Sequence, residues 1–153
     1  MSVAIGIDLG TTNTGAAWFH SGRPYMIALE RSQTFMPSVY AVGEDGKILI
    51  GLDAKRQAQL NPDHTVIGAK RLLGRDFDSP TLAQAHQIFR YDLRAGMNSE
   101  VLLQVRDRLM SPEAISAAIL ERVVERASDA LGVPVTKAVI TVPAYFNDSQ
   151  RQA

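Results

Sequence analysis

Ala4-Ile-Gly-Ile-Asp-Leu-Gly-Thr-Thr-Asn-Thr-Gly15 is the stretch on which the fold turns. Val3 to Ile7 supply the β-branched residues of a buried strand. Asp8 leaves that strand at its end, where a carboxylate can face a cleft. Gly10 has no Cβ, so backbone there can approach a ligand closely. The amides at Thr11, Thr12 and Asn13 can then point together into an anion-binding concavity. Asp8 suits magnesium held through water, because that ion keeps much of its hydration shell. The same residues also suit a plain hairpin turn between two strands. Neither of the commoner nucleotide signatures is present: there is no Gly-x-x-x-x-Gly-Lys-Ser/Thr, and no Gly-x-Gly-x-x-Gly opening a helix after a strand.

Outward from this turn, Ala16 to Phe19 and Tyr25 to Leu29 read as strands joined through Ser21-Gly22-Arg23-Pro24, which makes a three-strand antiparallel meander. Ser38 to Val42 and Ile48 to Ile50, joined at Glu44-Asp45-Gly46-Lys47, form a second small sheet. Residues 52 to 60 suit a short helix stopped before Pro62, and Val66 to Leu73 a second one. Gln87 to Tyr91 and Val101 to Val105 are the strands expected in the segment that follows. Ser111-Pro112-Glu113 marks a helix start, with serine as N-cap, proline at the first position and an acid in the first turn, each worth about 0.3 to 1 kcal/mol. Ile115, Ile119, Val123, Ala127 and Leu131 recur every fourth residue and Gly132 closes the helix. Ala138 to Val142 is a continuous apolar run, as in a strand covered on both faces. Asn147 or Asp148 then caps a new helix, with Gln150 placed to complete a capping box with Asn147. A helix that stops one turn later, at Ala153, is unstable alone, so the chain is expected to be a truncated piece.

The bulk numbers set limits. The 153 residues have the length of one ordinary domain. Sixteen basic and sixteen acidic residues balance, so no broad footprint for nucleic acid or anionic membrane is implied. The absence of cysteine excludes disulfides and thiolate metal sites and agrees with a reducing compartment. Asp8 interrupts the first apolar run before signal-peptide length, and no stretch reaches the roughly 20 apolar residues of a membrane span, so a cytoplasmic location is expected. His20, His64 and His86 lack metal-ligand spacing.

Three motifs in order carry a resemblance: Ile5-Gly-Ile-Asp-Leu-Gly-Thr-Thr-Asn-Thr14, Lys70-Arg-Leu-Leu-Gly-Arg75 and Val142-Pro-Ala-Tyr-Phe-Asn-Asp-Ser-Gln-Arg-Gln-Ala153. Together they resemble the seventy-kilodalton heat-shock chaperone family over nearly the whole chain, more weakly from Thr34 to Met36 and from Phe77 to Leu109. The resemblance implies an α/β fold: an actin-like (ribonuclease H-like) ATPase lobe with a mixed sheet, the meander plus a parallel strand and helices. Residues 1–153 would be a partial nucleotide-binding domain, its first lobe. Within it, 1–36 and 111–153 would form a base subdomain and 37–110 an inserted, small α+β upper subdomain.

By the same resemblance, Asp8 would organise hydrated magnesium and the cation network, with potassium as a further cation. Gly10, Thr11, Thr12 and Asn13 would hold the β- and γ-phosphates of ATP or ADP. Lys70 stands at the family's catalytic lysine, although on its own it reads as a solvated helix residue. Phosphoryl transfer depends on positioning and charge neutralisation, which suits one lysine beside one magnesium site. Lys55, with Arg56, resembles upper-cleft residues that influence nucleotide exchange. Pro143, Tyr145, Asn147, Asp148 and Arg151 match the segment coupling nucleotide state to the interdomain linker and to J-domain co-chaperones; they also serve as a strand end and helix cap.

The implied partners of the full-length protein are a J-domain co-chaperone, a nucleotide exchange factor and unfolded peptide clients. The family's catalytic carboxylate, second phosphate loop and adenosine-binding residues would lie beyond Ala153, so this chain alone is expected to lack ATPase activity. An unpaired strand near Val139 to Val142 would leave an edge for self-association. Two other readings stay open. Glycerol-kinase-like sugar kinases also begin with Asp-x-Gly-Thr-Thr, and a non-enzymatic truncated product could act only as an interaction module.

Overall fold

The computed structural model describes residues 3–85 and 87–153. Strand β1 (Val3–Leu9) buries Ile5, Ile7 and Leu9 and exposes Gly6 and Asp8, so a period of two sets which residues face the core. It pairs antiparallel with β2 (Asn13–His20), with Asp8 opposite Gly15 and Leu9 opposite Thr14. Residues 10–12 therefore close a hairpin at the end of the sheet. Ser21 and Gly22, both at positive φ (50° and 80°), turn β2 into β3 (Arg23–Met26) in the manner of a two-residue hairpin loop. The expected meander is present. Its third strand is displaced toward the turn, and β4 (Phe35–Pro37) adds a further strand by pairing with the first residues of β2.

Residues 39–110 build two small sheets. In one, β5 (Val39–Val42) lies between β6 (Ile48–Ile50) and β7 (Thr65–Ile67), covered by α1 (Leu52–Gln57). The segment 66–73 is thus not the expected helix. Val66 is buried in β7 opposite Tyr40, Gly68 bends the chain at positive φ, and only a short 3-10 turn follows at Ala69–Leu72. Pairing with β5 satisfies that backbone as a strand, and the β-branched residues at 65–67 fit the sheet better than a helix. After α2 (Pro80–Ala85), the second small sheet contains β8 (Asp92–Ala95), β9 (Val101–Val105) and β10 (Arg108–Met110). The strand expected at 87–91 starts at 92 instead. Phe89 and Tyr91 pack as a stacked pair ahead of it. Arg106, on the β9–β10 turn, fastens the two small sheets. Its side chain donates to the Val42 carbonyl (3.3 Å) and to Asn61 Oδ1 (3.2 Å), and its backbone N–H to His64 Nδ1 (3.1 Å).

The chain then returns to the first sheet. Helix α3 (Pro112–Leu131) starts where Ser111 accepts a hydrogen bond from the Ala114 N–H and ends at left-handed Gly132. Ile115, Ile119, Val123 and Ala127 are buried, and α3 packs against the main sheet, both small sheets and the 3-10 turn. Strand β11 (Val135–Thr141) runs parallel along the open edge of β1, giving the order β11-β1-β2-β3. The mixed parallel and antiparallel pairing, with helices, is an α/β arrangement. The apolar run in β11 is not covered on both faces: Val139 is 70% exposed, and the face it shares with Met26 and Phe35 carries no helix among the described residues. Burial of both faces needs two layers; α3 packs against β11, yet every residue from Thr136 to Thr141 stays exposed. Helix α4 (Asp148–Gln152) closes the chain with the expected capping box between Asn147 and Gln150.

Candidate functional site

Asp8 is exposed at the carboxyl end of β1, and the parallel register of β11 places Thr141 directly opposite. The Thr141 hydroxyl donates to Asp8 Oδ1 at 3.3 Å, fixing the carboxylate at the mouth of the sheet. At Gly10 a Cβ would collide with the Asn13 carbonyl, so this hairpin closes only around glycine. Among the described residues the amides of Thr11 and Thr12 have no protein acceptor. The far side of the turn is braced: the Ser38 N–H donates to the Thr12 carbonyl (2.9 Å), and the Thr14 and Ser38 hydroxyls share a buried 2.8 Å hydrogen bond. The result is a rigid loop with exposed amides and a carboxylate beside it.

Lys70 comes to this loop from 61 residues away. Its Nζ donates to the Leu9 carbonyl at 2.5 Å and lies 5.8 Å from the centre of the Phe146 ring. No carboxylate pairs with it among the described residues. Lys70 is thus a half-buried cation without a carboxylate partner at the last residue of β1, in a short 3-10 turn and not the helix expected from sequence. With Thr11, Arg71 and Arg75 it lines an open cleft of about 290 Å³ walled by Tyr145 and Phe146.

The segment after β11 reaches the same cleft. Phe146 is buried beside Lys70 while Tyr145 is 84% exposed. Arg151 folds back to donate to the Phe146 carbonyl (3.1 Å) and the Ala144 carbonyl (3.4 Å), and the Phe146 N–H donates to Pro143. Asn147 and Asp148 open α4, which packs on Gly74. That glycine has φ 60°, and a Cβ there would lie 2.7 Å from the Gln150 nitrogen and 2.8 Å from its Cα. The Lys70–Arg75 motif and the Val142–Ala153 motif are therefore interlocked through backbone.

Thr11, Lys70 and Tyr145 line one cleft, Asp8, Gly10, Thr12 and Asn13 lie on the adjoining strand end and hairpin, and Pro143, Asn147, Asp148 and Arg151 lie on the segment that carries Tyr145 and Phe146 to it. Lys55 lies apart: it is exposed on α1, outside both clefts that Thr11 lines. Phe146, Gly74, Arg71 and Thr141 join the site without having been singled out. The readable signal for Thr141 was its place as the polar residue inside the apolar run Ala138 to Val142. His20 stacks on Trp18 (4.6 Å) and His64 accepts from Arg106, so both have packing roles; His86 lies outside the described residues. Among the described residues no three His, Cys, Asp or Glu side chains converge on one point. The donor set fits a hard cation held by a single carboxylate, its remaining positions filled by water and phosphate oxygens, as magnesium prefers.

These features define an α/β protein whose mixed sheet presents, at one end, a hairpin with free amides, a strand-end carboxylate and a lysine. A family model described as Hsp70 protein matches residues 4–153, nearly the entire chain, and the chain belongs to that family of chaperones, whose members bind nucleotide with magnesium.

Proposed function

We propose that this chain is the phosphate-gripping part of an actin-like ATPase lobe, which in the full-length protein binds and hydrolyses ATP to control the affinity for unfolded peptides. The observation that carries the reading is the meeting of Asp8, the free Thr11 and Thr12 amides and unpaired Lys70 at one sheet end, from segments 61 residues apart. Bound magnesium and ATP supply the charge-neutralising cation and the transferable phosphoryl group. Asp8, held by Thr141, orients the cation's water shell. The hairpin amides donate to phosphate oxygens, and Lys70 holds a fixed positive charge where negative charge develops. The interlocked Pro143–Arg151 segment relays the state of that site toward a J-domain co-chaperone and the interdomain linker, while Lys55 serves exchange from the upper wall. Residues 1–36 and 111–153 form the base and 37–110 the insert. A cytoplasmic location fits the lack of cysteine. The uncovered edge of β11 is a surface through which the isolated chain self-associates.

Calorimetric titration with magnesium ATP tests the reading. Binding is expected, weakened about tenfold or more by Lys70→Ala, since a charge-assisted bond to phosphate contributes about 1.5 to 3 kcal/mol. The purified 153-residue chain is expected to show no turnover. Equal affinity in wild type and Lys70→Ala would refute the role of Lys70, and hydrolysis abolished by the same substitution would refute the inactivity.

A further inference from the structure

A second cleft, of about 370 Å³, opens on the other side of Arg71. We propose that it is an accessory binding site for a small planar aromatic anion, adjoining the phosphate hairpin and sharing its Thr11 and Thr12 rim. Its volume falls at the lower end of the roughly 300 to 1,000 Å³ typical of small-molecule pockets. Pro62, Ile67 and the Phe89 ring give it apolar walls. Phe89 is stacked on Tyr91 with ring centroids 4.9 Å apart and planes 24° from parallel. Tyr91 is itself fixed, buried and donating its hydroxyl to the Ile67 carbonyl at 3.0 Å, so the aromatic wall is preorganised and a ring laid on it loses little side-chain freedom.

Charge decides what kind of ring fits. Arg71 and Arg90, both exposed, line the cleft, and neither forms an ion pair among the described residues. No aspartate or glutamate lines it. The amides of Thr11 and Thr12, on the same rim, add unpaired donors. A neutral ring would leave two guanidinium groups uncompensated, and a bare phosphate would leave the apolar walls wet. A flat ring bearing a sulfonate or carboxylate satisfies both, because guanidinium binds such groups with two parallel hydrogen bonds. The cleft is joined to the phosphate hairpin at Gly68: a Cβ there would touch Phe89 Cε1 at 3.5 Å and Thr11 Cγ2 at 3.9 Å. An occupant would rest on the residue that carries one of the phosphate-facing amides.

The probe is anilinonaphthalene sulfonate, titrated into the full 153-residue chain and followed by fluorescence and by amide nuclear magnetic resonance shifts. Saturable binding is expected, with the shifts centred on Ile67, Gly68 and Tyr91. Arg71→Gln and Arg90→Gln should each weaken it several-fold, and uncharged N-phenylnaphthylamine should bind about tenfold more weakly. Both arginines are exposed, so neither variant threatens folding. Shifts confined to the uncovered sheet face around Val139, or an affinity unchanged in both arginine variants, would overturn the proposal.

Discussion

Val123→Asp is expected to abolish cooperative folding. Val123 is completely buried in the middle of α3, the helix that touches the main sheet, both small sheets and the 3-10 turn carrying Lys70. Aspartate is close to valine in size, so the substitution changes charge with little change in packing. Among the described residues no lysine, arginine or histidine is fully buried beside Ile115, Ile119, Val123 and Ala127 to pair with it. Desolvating an unpaired carboxylate costs several kcal/mol, comparable with the entire stability of about 5 to 15 kcal/mol that a small domain possesses. Ala114→Asp places the same group on the exposed first turn of the same helix, where the positive end of the helix dipole favours it. Thermal unfolding followed by circular dichroism should show no transition for the first variant and a midpoint within a few degrees of wild type for the second. A sigmoidal, wild-type-like transition for Val123→Asp would mean that α3 is not the central packing element.

Gly74→Ala is expected to detach α4 and cost about 3 kcal/mol. Two effects add. The left-handed backbone at φ 60° costs a non-glycine residue about 1 to 2 kcal/mol. The new methyl would also meet the Gln150 nitrogen at 2.7 Å and its Cα at 2.8 Å, which are backbone atoms that no rotamer change can move aside. Relief requires α4 to lift, which breaks the packing of Phe146 beside Lys70. Hydrogen exchange at the amides of Gln150 and Arg151 should accelerate strongly, while the amides of β1 and β2 keep their protection. Unchanged exchange in α4 would contradict the interlock.

The legible parts of the fold are those where local chemistry and burial agree. The alternation of Val3 to Leu9, the four-residue spacing along α3 and the Asn147–Gln150 capping box each follow from nearby residues alone. The misread parts depend on distant partners. Thr65 to Ile67 became a strand because β5, some 25 residues earlier, offers a ladder edge, and nothing in 66–73 announces that edge. Phe89 and Tyr91 look like strand residues by composition, but their rings are spent on each other and on the cleft beside Gly68. The uncovered face of β11 was misjudged because an apolar run records what a strand can bury, not what is present to cover it. At the site, Asp8, Gly10 and the two threonines were readable from one short stretch. The bond between Lys70 and the Leu9 carbonyl was not, since it spans 61 positions and arises only when β7 and the 3-10 turn fold back onto β1.

The central claim is that the hairpin after β1 grips phosphate, and amide shifts at Gly10, Thr11, Thr12 and Asn13 test it most directly. Magnesium ATP and magnesium pyrophosphate should both move these resonances and adenosine should not; a silent hairpin under saturating magnesium ATP, or the same shifts with adenosine alone, would contradict the claim.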